Sequence, residues 1–252
     1  MRLLSFLVGL SGLFMAGALA AQTPAAAPAP IPLAPPTAEP ENIWNLDLSD
    51  GGRVAIQLRP DAAPVHAERI KTLTRQGFYN GLIFHRVIEG FMAQSGDPTG
   101  TGAGGSELPD IAAEIHGLPH VRGAVGMARA EDLNSANSQF YIMFVPRLSM
   151  DRAYTIIGRV IGGMSYVDAI ERGEPPVNPT RIVRASMGSD NVPPMTAEEL
   201  RAAAAQMAAA HPAPAASVMG ITASTGPAPP PPPSRPRALE PVRGPQQGRP
   251  PH

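Results

Sequence analysis

From residue 42 onward the apolar positions switch between a period of two and a period near 3.6. Ile43 to Leu48 and Arg53 to Leu58 alternate apolar with polar residues about Ser49-Asp50-Gly51-Gly52. That pattern predicts a β-hairpin with Val54, Ile56 and Leu58 on one face. Pro64 suits a first helical turn and Gly77 suits its end, so a helix is predicted from Pro64 to Gln76. Short apolar runs predict further strands at Leu82 to Val87, Phe91 to Ser95, Ala124 to Ala128, Gln139 to Met143, Ile156 to Ile161 and Ile182 to Met187. A second helix is predicted from a Ser165 cap to Glu171, stopped by Gly173. Eight short strands and two helices lack the regular βαβα alternation of a parallel sheet. They suit an antiparallel barrel closed on itself, with the helices over its open ends, which removes exposed edges. An open sandwich of the same strands satisfies the periodicity equally well.

The prolines sharpen the boundaries. There are 31, crowded toward both ends, which predicts a folded domain over residues 42–190 between low-complexity flanks expected to be disordered. Residues 21–41, AQTPAAAPAPIPLAPPTAEPE, form a Pro/Ala linker unable to build a core. After Asn191, Thr196-Ala197-Glu198-Glu199 is a capping box that opens a helical extension over 191–211. Leu200, Ala203, Ala204 and Met207 fall on one stripe of it. Residues 212–252 are a Pro-rich tail, a solvated spacer or a dock for a proline-reading partner. Residues 1–20 have one basic residue, an apolar run and a small-residue end at Ala18-Leu19-Ala20. They predict a signal peptide cleaved before Ala21, with an uncleaved anchor as the alternative. An exported, periplasmic protein is therefore expected. The chain has no cysteine, which excludes disulfides and a lipid-modified export cysteine. A net charge of -1 gives no long-range field favouring nucleic acid.

Candidate chemistry begins at residues 84–105, FHRVIEGFMAQSGDPTGTGAGG, whose last six residues satisfy G-x-G-x-x-G. A dinucleotide site needs a strand directly before these glycines and a helix directly after them. Asp97-Pro98 and Pro109 interrupt both, so the run is expected to be a loop. His116 and His120 have H-x-x-x-H spacing, but Pro119 prevents a regular helix there, so no metal site is expected. The serines of NSANSQ lack the glycine-flanked elbow of a hydrolase. What remains is Arg86 and Gln94 near the ends of two adjacent predicted strands, with Phe91 and Met92 between them. A second constellation runs through Gly126-Met127-Ala128-Arg129-Ala130 and Asn137-Ser138-Gln139-Phe140-Tyr141-Ile142. Taken singly, Phe91 and Met92 read as core residues, and Arg86 as a surface partner for Glu89.

Together, GFYNGLIFHRVIEGFMAQSGDPTGTGAGG, GAVGMARA, NSQFYI and TIIGRVIGGMSYVDAI resemble the cyclophilin family of peptidyl-prolyl cis/trans isomerases across residues 42–188. The resemblance implies an eight-stranded antiparallel barrel capped by two helices. It also implies that Arg86 is the catalytic arginine and Gln94 the glutamine that holds it. Phe91, Met92, Tyr141 and Met150 would line a proline pocket, with Tyr154 at its edge and Ala128 and Arg129 bordering the substrate groove. No cofactor is implied. The implied partners are proline-containing, unfolded or partly folded exported polypeptides. Nucleic acid is not among them, and the chain would be a monomer with no membrane insertion after signal cleavage. Four positions depart from the commonest family pattern: Ser149 for tryptophan, Tyr154 for histidine, Tyr141 for phenylalanine and Arg129 for asparagine. They predict a more polar pocket rim and weak cyclosporin binding. A non-catalytic, cyclophilin-shaped binding module or holdase is the alternative function.

Overall fold

The computed structural model describes residues 38–210. The signal segment 1–20, the linker up to residue 37, and residue 211 with the tail beyond it lie outside the described residues. Regular structure begins with a 3-10 turn at Pro40–Asn42, two residues before the sequence placed it. Strands β1 (Ile43–Leu48) and β2 (Gly52–Leu58) form the expected hairpin, paired from Ile43↔Gln57 to Leu48↔Gly52. Val54, Ile56 and Leu58 are fully buried on one face of it. The remaining strands are β3 (Arg86–Ile88), β4 (Met92–Ser95), β5 (Ala124–Met127), β6 (Phe140–Met143), β7 (Ile156–Gly162) and β8 (Ile182–Met187).

All eight strands belong to one antiparallel sheet, in the order β3-β4-β6-β5-β7-β2-β1-β8. This replaces the two-sheet sandwich. It also corrects the expected closed barrel, because β3 and β8 are the two ends of the sheet and no ladder joins them. The sheet curls until its ends approach. They are linked by an isolated bridge, Ile83↔Arg181, and by Ile182 N–H donating to the Leu82 carbonyl at 2.8 Å. The sequence supplies the reason. Pro175, Pro176 and Pro179 lie in the stretch that would complete the ladder, and a proline has no N–H to donate to it. The predicted strand Leu82 to Val87 is accordingly reduced to the short β3, and the residues before it are held by that bridge and by Gly81 and Phe84 N–H groups donating to the Ile182 and Thr180 carbonyls at 2.7 and 2.9 Å.

Helix α1 (Pro64–Arg75) has proline in its first turn as expected, but no side-chain cap of its own. Glu114, from a distant loop, accepts hydrogen bonds from the Val65 and His66 amides at 3.1 and 3.0 Å. Its negative charge suits the positive end of the helix. Ala67, Ile70 and Leu73 of α1 join the main core with Trp44, Tyr79, Phe84 and Phe140. Trp44 packs against Phe140 edge-on, with centroids 4.8 Å apart. Helix α2 (Met164–Ala169) is shorter than predicted, and its cap is Gly163 rather than Ser165.

Helix α3 (Ala197–Ala210) opens on the expected capping box. Thr196 N–H donates to Glu199 at 2.8 Å, and Glu199 N–H returns a bond to the Thr196 hydroxyl at 3.3 Å. Leu200 is fully buried, and Ala203, Ala204 and Met207 on the same stripe are half-buried. The segment leading to α3 is held by Arg53 and Arg184, which donate to the Pro193 carbonyl at 3.2 and 2.7 Å. Both guanidiniums also pair with the buried carboxylate of Asp47. Leu200→Ala removes the only fully buried side chain of α3 and is expected to weaken its docking by about 2–3 kcal/mol. Amide hydrogen exchange should show lost protection in α3 with β1 and β8 unchanged. Equal loss in all three would overturn this. Among the described residues no helix is long and apolar enough to cross a membrane.

Candidate active site

Four strands place the candidate residues in a row. Arg86 of β3 faces Gln94 of β4, Gln94 faces Tyr141 of β6, and Tyr141 faces Gly126 of β5. Directly opposite residues in antiparallel strands project from the same side of the sheet, and so do positions two residues further along. Met92 and Met143, themselves opposite one another, therefore share this side with Gln94 and Tyr141. The alternate residues Val87, Ala93 and Ile142 lie in the main core behind it. Period-two alternation thus separates the sheet into a structural face and a face available for chemistry.

On that second face lies a separate apolar cluster. It contains Met92, Ala128, Tyr141, Met150 and Tyr154, with half-buried Phe91 packed against it. These residues come from two strands and the turn before one of them, the loop after β5 and the turn around Met150, so the cluster exists only in the folded chain. Gly126 is needed beneath it: a Cβ there would lie 2.4 Å from the Tyr141 hydroxyl oxygen and ring. Arg129 sits at the margin, its guanidinium carbon 4.6 Å from the centre of the Tyr154 ring, and donates to the Ala153 carbonyl at 3.1 Å. Arg147 lies similarly over Phe91, at 5.3 Å. Beyond Ala128 and Arg129 opens a cleft of about 280 Å³, walled by Gly102 to Gly105, Asp110, Ser135 and Asn137.

Arg86 is half-buried. Its Nε donates to Glu174 Oε2 at 2.7 Å, while Nη1 is buried with no hydrogen-bond partner among the described residues. The alternative partner, Glu89, pairs instead with Arg172 at 2.7 Å. Gln94 stands beside Arg86, but its amide donates to Gln139 Oε1 at 2.8 Å, and its own oxygen has no partner. Gln139 in turn donates to the carbonyls of Gly102 and Gly104 at 2.9 and 2.8 Å. This chain ties the site to the glycine run. The glycines wrap the buried carboxylate of Asp97, which accepts from Thr99 N–H at 2.7 Å and from Gly102 N–H. Burial pushes the Asp97 carboxyl up, but these hydrogen bonds outweigh it and hold the group below its usual range. The G-x-G-x-x-G pattern therefore surrounds an internal anion in this fold.

Below the cluster, Tyr141 donates its hydroxyl to His120 Nε2 at 2.9 Å, and His120 Nδ1 donates to Asp151 at 2.9 Å. These roles follow from the charge states. Burial lowers the pKa of His120, favouring the neutral ring, and holds the Tyr141 phenol well above its ordinary value. The chain locks the Tyr141 ring to the turn carrying Met150. The Tyr141 hydroxyl is thus satisfied below the floor, so of the four departures this one adds no polarity to the rim. His116, the other half of the H-x-x-x-H pair, instead bonds to the Ile156 carbonyl at 2.8 Å. Glu174 and Asp151 were missed from the sequence; His120 was weighed there only as a metal ligand, and Gln139 lay within a quoted motif but without a role.

With this geometry in view, the comparisons are specific. The profile of the family described as cyclophilin type peptidyl-prolyl cis-trans isomerase/CLD matches residues 44–187, more than half of the chain. A "Probable peptidyl-prolyl cis-trans isomerase" of Brucella suis is 47% identical over 169 residues, covering 61% of this chain and 86% of that protein. "Peptidyl-prolyl cis-trans isomerase B" of Bacillus subtilis is 38% identical over 129 residues, covering 50% and 89%. Among solved structures, a cyclophilin from Hirschia baltica aligns with a TM-score of 0.57 at 30% identity, covering 62% of this chain and 77% of that one. A cyclophilin-type isomerase of Cryptosporidium parvum, crystallised in the presence of the dipeptide Ala-Pro, gives 0.54 at 27%, covering 57% and 98%. A curled antiparallel sheet with this apolar face defines a cyclophilin fold, and the chain belongs to the cyclophilin-type peptidyl-prolyl cis-trans isomerases. The activity of this family is that of an enzyme.

Proposed function

We propose that the enzyme accelerates X-Pro rotation in unfolded or partly folded polypeptides by favouring the twisted amide through Arg86. The observation that supports this most is the unpartnered, buried Arg86 Nη1 in the same row as Tyr141 and its apolar cluster. Rotation about a peptide bond faces ~18–20 kcal/mol because resonance gives the C–N bond double-bond character. No covalent bond is made or broken, so a nucleophile has no task. As the bond twists, the proline nitrogen regains its lone pair and becomes an acceptor, which it is not in the planar amide. A donor aimed there binds the transition state better than either ground state. Arginine suits this role because its guanidinium is planar and permanently charged. Phe91, Met92, Tyr141, Met150 and Tyr154 would grip the pyrrolidine ring, so that the residue before proline turns. Ala128, Arg129 and the adjoining cleft would take the backbone on that side.

The signal-like residues 1–20 suggest that the clients are exported polypeptides met in the periplasm. The Ala-Pro dipeptide present with the Cryptosporidium relative is the substrate chemistry such a pocket would take. The test is exchange NMR with a short peptide containing one Ala-Pro bond and catalytic amounts of the full chain. Cis–trans exchange should quicken, with shift changes centred on Phe91, Met92, Tyr141 and Tyr154. Exchange at the buffer rate, or changes centred elsewhere, would refute the assignment.

A further inference from the structure

We infer that Glu174 is a positioning residue for the isomerase, bracing one edge of Arg86 so that the other faces the substrate. The inference rests on the role proposed for Arg86. The contact is a charged hydrogen bond, Arg86 Nε to Glu174 Oε2 at 2.7 Å. It occupies the Nε side of the guanidinium and leaves Nη1 unpartnered. The carboxylate comes from a fixed frame. Gly173 and Val87, each next in sequence to one member of the pair, exchange two backbone hydrogen bonds of 3.0 and 2.8 Å. Gly173 has φ +145°, and a Cβ there would lie 2.6 Å from the Pro176 Cα, so the turn admits no other residue without movement. On the other side of Gly173, Arg172 donates to Glu89 at 2.7 Å and lies 4.3 Å from the centre of the Phe144 ring.

A structural role explains the pair poorly. Glu174 is 52% exposed, and ion pairs in contact with water add little to stability. Orientation is different, since a misplacement of about 1 Å in a reacting group can cost up to ~100-fold in rate. An arginine released from its brace samples several rotamers, few of which aim Nη1 at the substrate.

The experiment measures kcat and KM separately by exchange line-shape analysis for Glu174→Ala, Glu174→Gln, Arg86→Ala and the Arg86→Ala/Glu174→Ala double variant, with melting temperatures alongside. Glu174→Ala is expected to lower kcat roughly five- to tenfold with KM within about twofold and an unchanged melting temperature. Glu174→Gln keeps an acceptor oxygen for Nε and should recover most of the loss. The double variant should be no slower than Arg86→Ala alone, because the carboxylate acts only through the arginine. An unchanged or faster Glu174→Ala beside a crippled Arg86→Ala would overturn the brace and leave the role of Arg86 standing. A lowered melting temperature, or a loss seen wholly in KM, would also overturn it. Full activity in Arg86→Ala would remove the proposed role of Arg86 and the brace together.

Discussion

Replacing Arg86 with alanine is expected to lower kcat/KM for an X-Pro peptide by roughly 100- to 1000-fold, the usual consequence of removing one preorganised donor from a shielded site. At 1.36 kcal/mol for each factor of ten, that corresponds to about 3–4 kcal/mol of transition-state stabilisation. The loss should fall mainly on kcat. Peptide affinity depends on the apolar cluster of Met92, Tyr141, Met150 and Tyr154, which the substitution leaves in place. Stability should hardly change, because the ion pair that is lost has a carboxylate in contact with water, whereas a buried, unpartnered Nη1 is itself a cost that alanine removes. Arg86→Lys separates charge from geometry. Lysine keeps the positive charge but not the planar fork, so it should recover less than about tenfold. The measurement is exchange kinetics on the full-length variants with an Ala-Pro peptide. An Arg86→Ala enzyme within a few-fold of the original would rule out the arginine-assisted route and shift the weight to backbone donors of the groove.

What was legible in the sequence was local. The β1–β2 hairpin needed only alternation and a Gly-containing turn, α1 needed Pro64, and α3 needed Thr196 and Glu199 three residues apart. The row Arg86–Gln94–Tyr141 was nearly as accessible, because motif and strand period already put Arg86 and Gln94 on one side. Features made by distant segments were not accessible. Arg86 meets Glu174 across 88 residues of chain, and the nearer Glu89 was the obvious but incorrect partner. Glu114 takes the place of an α1 cap from 48 or more residues away. The barrel failed to close as a ladder because Pro175, Pro176 and Pro179 fall between the two bridged positions, Gly173 opposite Val87 and Arg181 opposite Ile83, and neither segment alone shows that the other lies beside it. The pairing of Tyr141 with His120 was not readable from the H-x-x-x-H spacing, and each histidine has a separate partner. Local pattern therefore gives elements and the residues of a site, while orientation within the site comes from contacts that only the folded chain defines.

Acidification from pH 7 to about pH 4 is expected to destabilise the fold, with His85 the largest single contributor. His85 is 5% exposed, and both of its ring nitrogens lack a partner. Burial lowers its pKa to about 4, with Asp97 opposing and Arg86 adding to the shift. The unfolded chain keeps an ordinary value near ~6.5, so it takes up the proton first. Stability is therefore flat above pH ~6.5, falls as pH drops from there to about 4, and is flat again below. At 1.36 kcal/mol per unit, the loss from this residue approaches ~3 kcal/mol. His66, His116 and His120 are shifted in the same direction by burial and steepen the fall. Asp50 works against them. Burial raises its pKa to about 6, so the folded state takes up that proton first and gains stability as pH drops from about 6 toward 3.8. The His85 shift is at least as large as that of Asp50, and the other three histidines add to it, so the net slope is positive with pH. Urea unfolding at several pH values should show this, and His85→Leu should be flatter than the original protein between pH 6.5 and 4. Parallel curves for the two would mean that His85 is protonated in the fold as readily as outside it, and that its burial beside Asp97 does not govern the acid response.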